Sequence, residues 1–67
     1  MDKMKIAERL KELRHKKGVS VTEVATACGI TPQALSQYES GDRVPRDEVK
    51  IKLADYYKKS VATLFYA

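Results

Sequence analysis

Within the stretch Pro32 to Ser40, the residues Gln33, Ser36, Gln37 and Ser40 stand three or four positions apart. If this stretch is helical, a rotation of about 100° per residue brings them to one face and sends Leu35 and Tyr38 to the other. The first face carries amides and hydroxyls that both donate and accept hydrogen bonds, and no formal charge. Groups of this kind suit the edges of base pairs: a glutamine amide pairs with N6 and N7 of adenine, and a small apolar group such as Ala34 meets a thymine methyl. Gln33, Ser36, Gln37 and Ala34 are therefore the candidate base-reading residues. The competing interpretation is an ordinary solvated helix face.

Such a face works only if the chain builds a helix there and holds it rigidly. Thr31 and Pro32 form a start signal, a hydroxyl cap followed by a residue whose missing N–H costs nothing in the first turn. Gly41 stops the helix. Immediately upstream, Ser20 and Glu23 make a capping box for a helix running to about Cys28, and Gly29 supplies the backbone freedom that a tight turn needs. Two short helices joined by a glycine turn are thus expected over residues 21–40, with Val24, Cys28, Ile30, Leu35 and Tyr38 inward and Ala25 at the close approach.

An amphipathic helix precedes them. Ile6, Ala7, Leu10 and Leu13 recur at helical spacing between Ile6 and Lys17, and Gly18 terminates it beside the basic cluster His15, Lys16 and Lys17. Downstream, the segment from Gly41 to Arg46 reads as a loop, and Asp47 and Glu48 favour the start of a fourth helix. Val49, Ile51 and Leu53 alternate with lysines as a strand would. Helix is preferred, because Val49, Leu53, Tyr56 and Tyr57 form one stripe, leaving Ile51 outside it, and no second strand is available. Ser60 caps a last short helix through Val61, Leu64 and Phe65. The expected fold class is all-α, a compact five-helix arrangement in a single domain spanning 1–67.

Size and composition narrow the function. A chain of 67 residues is near the lower limit for a core without staples. With a single cysteine there is no internal disulfide, and no Cys/His spacing suits a metal, so no metal and no cofactor are expected. No apolar run reaches the length of a membrane span, and no membrane partner is expected. No Ser-His-Asp arrangement, paired catalytic carboxylates or phosphate-cradling glycine loop is present, and the expectation is that the chain is not an enzyme. His15 reads as structural and Cys28 as a small buried hydrophobe. The net charge of +4 resides in residues 1–18, with seven Lys or Arg against three acids, while residues 19–67 balance at six against six. A basic excess suits a phosphate-bearing partner through counterion release, although a solvated helix face accounts for it equally.

Taken together, the Leu-Lys-Glu-Leu-Arg helix ending at Gly18, the Ala25 and Gly29 spacing, the Ser-Gln-Tyr-Glu-Ser-Gly run at 36–41 and Ser-Val-Ala-Thr-Leu-Phe at 60–65 resemble the lambda-repressor-like helix-turn-helix family. That group comprises phage repressors, Cro proteins and XRE-type regulators, and the resemblance covers about residues 6–65. It implies a compact bundle whose third helix enters the major groove of double-stranded DNA, usually as a homodimer on a two-fold operator, in the cytoplasm. It implies phosphate contacts from Arg43 and Arg46, with Lys50 a further one and Thr22, Thr31 and Ser40 contributing hydroxyls or N–H groups. It also implies an ion pair between Arg14 and Glu39 that orients the third helix. The chain departs from the family at Pro32, which has no hydrogen-bonding side chain, and at Val21, where a phosphate-binding glutamine is common. Both departures favour the alternative, an antitoxin-like or adaptor module whose main partner is another protein.

Overall fold

The computed structural model describes residues 2–67. Four α-helices follow one another, α1 (Lys3–Lys17), α2 (Val21–Cys28), α3 (Pro32–Ser40) and α4 (Asp47–Tyr57), and a π-helical turn (Ala62–Tyr66) closes the chain. No strand occurs among the described residues. The all-α expectation holds, including helix rather than strand at Val49 to Leu53, with Ile51 54% exposed as its off-stripe position requires.

Each boundary has a local cause. Ser20 Oγ accepts from the Glu23 N–H at 3.0 Å while a Glu23 carboxylate oxygen accepts from the Ser20 N–H at 3.4 Å, closing the capping box at the start of α2. Thr31 Oγ1 accepts from the Ala34 N–H at 3.0 Å, with Pro32 in the first turn of α3. Gly29 adopts φ 69°, a left-handed conformation that a side chain disfavours, and the turn between α2 and α3 depends on it.

Two boundaries differ from the expectation. The first helix begins at Lys3 rather than near Ile6, because Asp2 Oδ1 accepts from the Met4 N–H at 2.9 Å and the Lys5 N–H at 3.4 Å. That extra turn is solvated, so no apolar spacing announces it. The last element is a π turn and not an α-helix. It places both Leu64 and Phe65 in the core, and Arg9 donates to the Leu64 carbonyl at 3.2 Å and to that of Ala67, partnering carbonyls that a helix end leaves free.

The core is one cluster in which Ile6 and Leu10 of α1, Val24 and Ala25 of α2, Leu35 and Tyr38 of α3, Leu53 and Tyr57 of α4 and Phe65 meet. Helix α3 packs against both α1 and α2, and α4 packs against α2. The third helix is therefore clamped on its apolar side, which leaves its polar side free.

Candidate nucleic-acid interface

Rotation about α3 divides its side chains as expected. Leu35 and Tyr38 are 0% and 3% exposed, whereas Gln33 and Ser36 face solvent and Ala34 and Gln37 lie half-buried beside them. The four base-reading candidates thus lie together along the accessible side of one helix. Thr31, at its start, uses a lone pair for the cap and keeps its hydroxyl proton to donate. Thr22 is exposed in the first turn of α2, where helix N–H groups without an internal partner favour an anion.

The C-terminal end of α3 is organised around the backbone carbonyl of Gln37. It accepts from the N–H groups of Gly41, Asp42 and Arg43, the last two at 3.0 and 3.3 Å, and lies 3.1 Å from Ser40 Oγ. Ser40 Oγ also stands 3.0 Å from Asp42 Oδ2, so this hydroxyl is engaged within the loop. The convergence folds the loop back over α3 and delivers Arg43 to its accessible polar face. There Arg43 Nη1 donates to Gln37 Oε1 at 3.0 Å, and its guanidinium lies 5.5 Å from the centre of the Tyr38 ring. Arg46 is exposed one residue before α4 and makes no capping hydrogen bond.

Lys50 requires a correction. Expected to reach phosphate, it is 5% exposed; its Nζ donates to the Tyr66 hydroxyl at 2.8 Å, lies 3.7 Å from Asp47 Oδ1 and sits over the rings of Phe65 and Tyr66. An ammonium held in this way cannot extend to a phosphate without leaving its partners. Its position follows from the true inward stripe of α4, Lys50, Leu53, Ala54 and Tyr57, which is rotated from the Val49, Leu53, Tyr56 and Tyr57 stripe expected. The spacing of 50, 53, 54 and 57 is itself helical. It is obscured by a lysine at its first position, a residue type rarely buried unless paired.

Arg14 and Glu39 form the expected ion pair, in a setting drier than a surface pair. Glu39 accepts from Arg14 Nε at 2.9 Å and from Nη2 at 3.0 Å, and Arg14 Nη1 donates to the Val19 carbonyl at 3.1 Å. Their side chains are 16% and 6% exposed. The Glu39 hydrogen bonds, helped by its charge and opposed by desolvation, raise the Arg14 pKa above its ordinary value. The pair ties α1 and the α2 approach to the buried side of α3, one residue from Tyr38.

Tyr57 belongs to the same neighbourhood and was not distinguished by sequence from other stripe residues. Its hydroxyl is buried without a hydrogen-bond partner. Burial, then the charge of Glu39, pushes its pKa up. Cys28 is buried as expected, with its thiol pKa raised by burial against a smaller opposing effect of Lys52. No cluster of three metal-binding side chains occurs among the described residues, and no helix of them is long and apolar enough to cross a membrane.

Charge is distributed differently from what the sequence alone implies. Much of the α1 excess is committed elsewhere: Arg14 to Glu39, Arg9 to carbonyls of the terminal segment, Lys16 to Glu12 at 3.6 Å and Lys17 to the Tyr56 ring at 5.2 Å. Beside α3 the loop offers Arg43 and Arg46 close to Asp42, Asp47 and Glu48. The interface is modestly charged.

The pattern of a helix-turn-helix domain matches residues 5–64. A candidate HTH-type transcriptional regulatory protein of Pyrococcus abyssi is 35% identical over 54 residues, which is 81% of this chain and 17% of that protein. One from Pyrococcus furiosus is 38% identical over 50 residues, 75% of this chain and 16% of that protein. The chain therefore spans about a sixth of the length of the curated relatives it matches. Among solved structures, the clp gene regulator ClgR of Corynebacterium glutamicum superposes with a TM-score of 0.87 at 26% identity, covering 96% of this chain and 68% of that one.

Proposed function

We propose a function from one established premise: this chain belongs to the helix-turn-helix domain family. It is a sequence-specific DNA-binding transcriptional regulator of the repressor or Cro type, acting in the cytoplasm at the nucleoid. Helix α3 lies in the major groove with Gln33, Ser36, Gln37 and Ala34 against base edges, while Arg43, Arg46, Thr22 and Thr31 grip the flanking backbone and the Ser40 hydroxyl serves the loop instead. The observation that carries this reading is the accessible polar side of α3, clamped from behind by the core and flanked by two arginines. Similarity to HTH-type transcriptional regulatory proteins and to a clp gene regulator supports the regulator part of this reading.

It binds as a homodimer. One recognition helix covers too few base pairs to select a site among many, and two helices about 34 to 36 Å apart read one face of a two-fold operator. Leu64 and Phe65 belong to the core, so the apolar surface left near the C-terminus for a dimer contact is half-buried Val61 and exposed Tyr66.

Selection from a random duplex pool at two salt concentrations, with wild type, Gln33→Ala and Gln37→Ala, tests the proposal. A two-fold symmetric motif, relaxed at discrete positions by each variant and weakened by salt, is the expected result. Enrichment of no motif would leave the protein-interaction alternative as the better account.

A further inference from the structure

We propose that Arg43 sets the base preference of Gln37, so that the two side chains read one base pair as a unit and prefer guanine to adenine. The inference rests on the placement of α3 in the major groove given above and goes beyond it, since there Gln37 reads alone and Arg43 only holds the backbone. Its starting point is the 3.0 Å hydrogen bond from Arg43 Nη1 to Gln37 Oε1. A guanidinium has donors and no acceptor, so the amide must turn its oxygen toward Arg43. The orientation of Gln37 is thereby fixed by chemistry.

The arrangement is held from several directions. The Arg43 N–H donates to the Gln37 carbonyl, which also takes the N–H groups of Gly41 and Asp42, so the loop cannot move away without breaking the end of α3. The Tyr38 ring lies 5.5 Å from the guanidinium and favours its positive charge. Arg43 is exposed and Gln37 half-buried, so both reach the accessible side of the helix.

The consequence concerns which hydrogens face the base. A free glutamine matches adenine because Oε1 accepts from N6 while Nε2 donates to N7. Here one of the two Oε1 lone pairs is bonded to a cation, and the partly positive hydrogens of an adenine amino group would approach the other beside a full positive charge. Nε2 remains free to donate, and the neighbouring guanidinium adds further donors. The edge that suits a surface of donors alone is guanine, with acceptors at both O6 and N7.

The test is selection from a random duplex pool, followed by binding to fixed duplexes differing at the single base pair that Gln37→Ala relaxes. Wild type, Arg43→Ala, Gln37→Ala, the double variant and Arg46→Ala are compared, each first checked for wild-type thermal unfolding. Wild type should prefer guanine at that base pair, and Arg43→Ala should shift the preference toward adenine by about tenfold, within the range a bidentate contact supplies. The double variant should discriminate there no less than Gln37→Ala does, and Arg46→Ala should weaken all sequences uniformly. If Arg43→Ala also weakens all sequences uniformly, or relaxes a base pair other than the one Gln37 reads, the coupling is refuted and the DNA-binding proposal stands. If wild type enriches no motif, that proposal fails and this one fails with it.

Discussion

Replacing Glu39 by alanine should remove a large share of the domain's stability. Glu39 is 6% exposed and receives hydrogen bonds from Arg14 Nε and Nη2, so its removal leaves a guanidinium, itself 16% exposed, with the Val19 carbonyl and the edge of solvent. Breaking a buried pair by deleting one partner costs about 3 to 5 kcal/mol. The open edge of Arg14 lets water reach part of it, which places the expected cost at the low end, about 3 kcal/mol. A chain of 67 residues has a total stability of roughly 3 to 10 kcal/mol at about 0.05 to 0.15 kcal/mol per residue. At about 4 to 8 °C per kcal/mol, Tm should fall by roughly 12 to 24 °C. Replacing both partners, Arg14→Met with Glu39→Met, removes the stranded charge together with its partner and should return stability to within about 1 to 2 kcal/mol of wild type. Urea unfolding followed by far-ultraviolet circular dichroism, on wild type, each single variant and the double, gives the coupling directly. Two single variants that each cost under about 1 kcal/mol and add in the double would mean that the pair behaves as an exposed contact, and the reasoning from its burial would be wrong.

The buried, unpartnered Tyr57 hydroxyl implies that Tyr57→Phe loses no hydrogen bond and gains up to about 1 kcal/mol at neutral pH in urea unfolding. Because the folded pKa of Tyr57 lies above an unfolded value of about 10, its contribution is fully present below that pH and is lost as pH rises beyond it; the phenylalanine variant should show a shallower alkaline decline in Tm. Arg46→Ala should reduce the slope of log binding constant against log salt by about 0.9 per subunit, whereas Lys50→Gln, which removes a cation already held by Tyr66 and Asp47, should leave the slope unchanged. An equal reduction by both variants would return Lys50 to the phosphate contacts. Thr31→Ala removes the side-chain acceptor for the Ala34 N–H and should cost about 1 kcal/mol, read as a lower urea midpoint at unchanged m.

What was legible in the sequence was local or periodic. The Ser20–Glu23 box, the Thr31–Pro32 start and the inward set Val24, Leu35 and Tyr38 each follow from residues within one or two turns of each other, and the structure contains all of them. The start of α1 was not legible, because Asp2 caps a turn that buries nothing before Ile6. Lys50 is not legible as buried because its charge suggests surface, while the hydroxyl and the two rings that compensate its burial come from the terminal turn, with only the Asp47 carboxylate close by on the same helix. The bond between Arg43 and Gln37 joins a loop to a helix, and loop residues have no period that would reveal a partner. The Arg14–Glu39 contact entered through family resemblance, since residues 25 positions apart have no local signature.

Helix α3 separates two kinds of selection along its length. Gln33 and Ser36 are exposed while Leu35 and Glu39 are buried, and surface changes shift stability by only about 0.5 kcal/mol either way. On the proposed reading, lineages descended from this chain can thus try new operators at these two positions while the scaffold stays intact. Gln37 is different, because a new residue there releases Arg43 as well. Retargeting at that position requires paired changes in helix and loop, so orthologous regulators that diverge in target should exchange residues 37 and 43 together, while 33 and 36 drift singly.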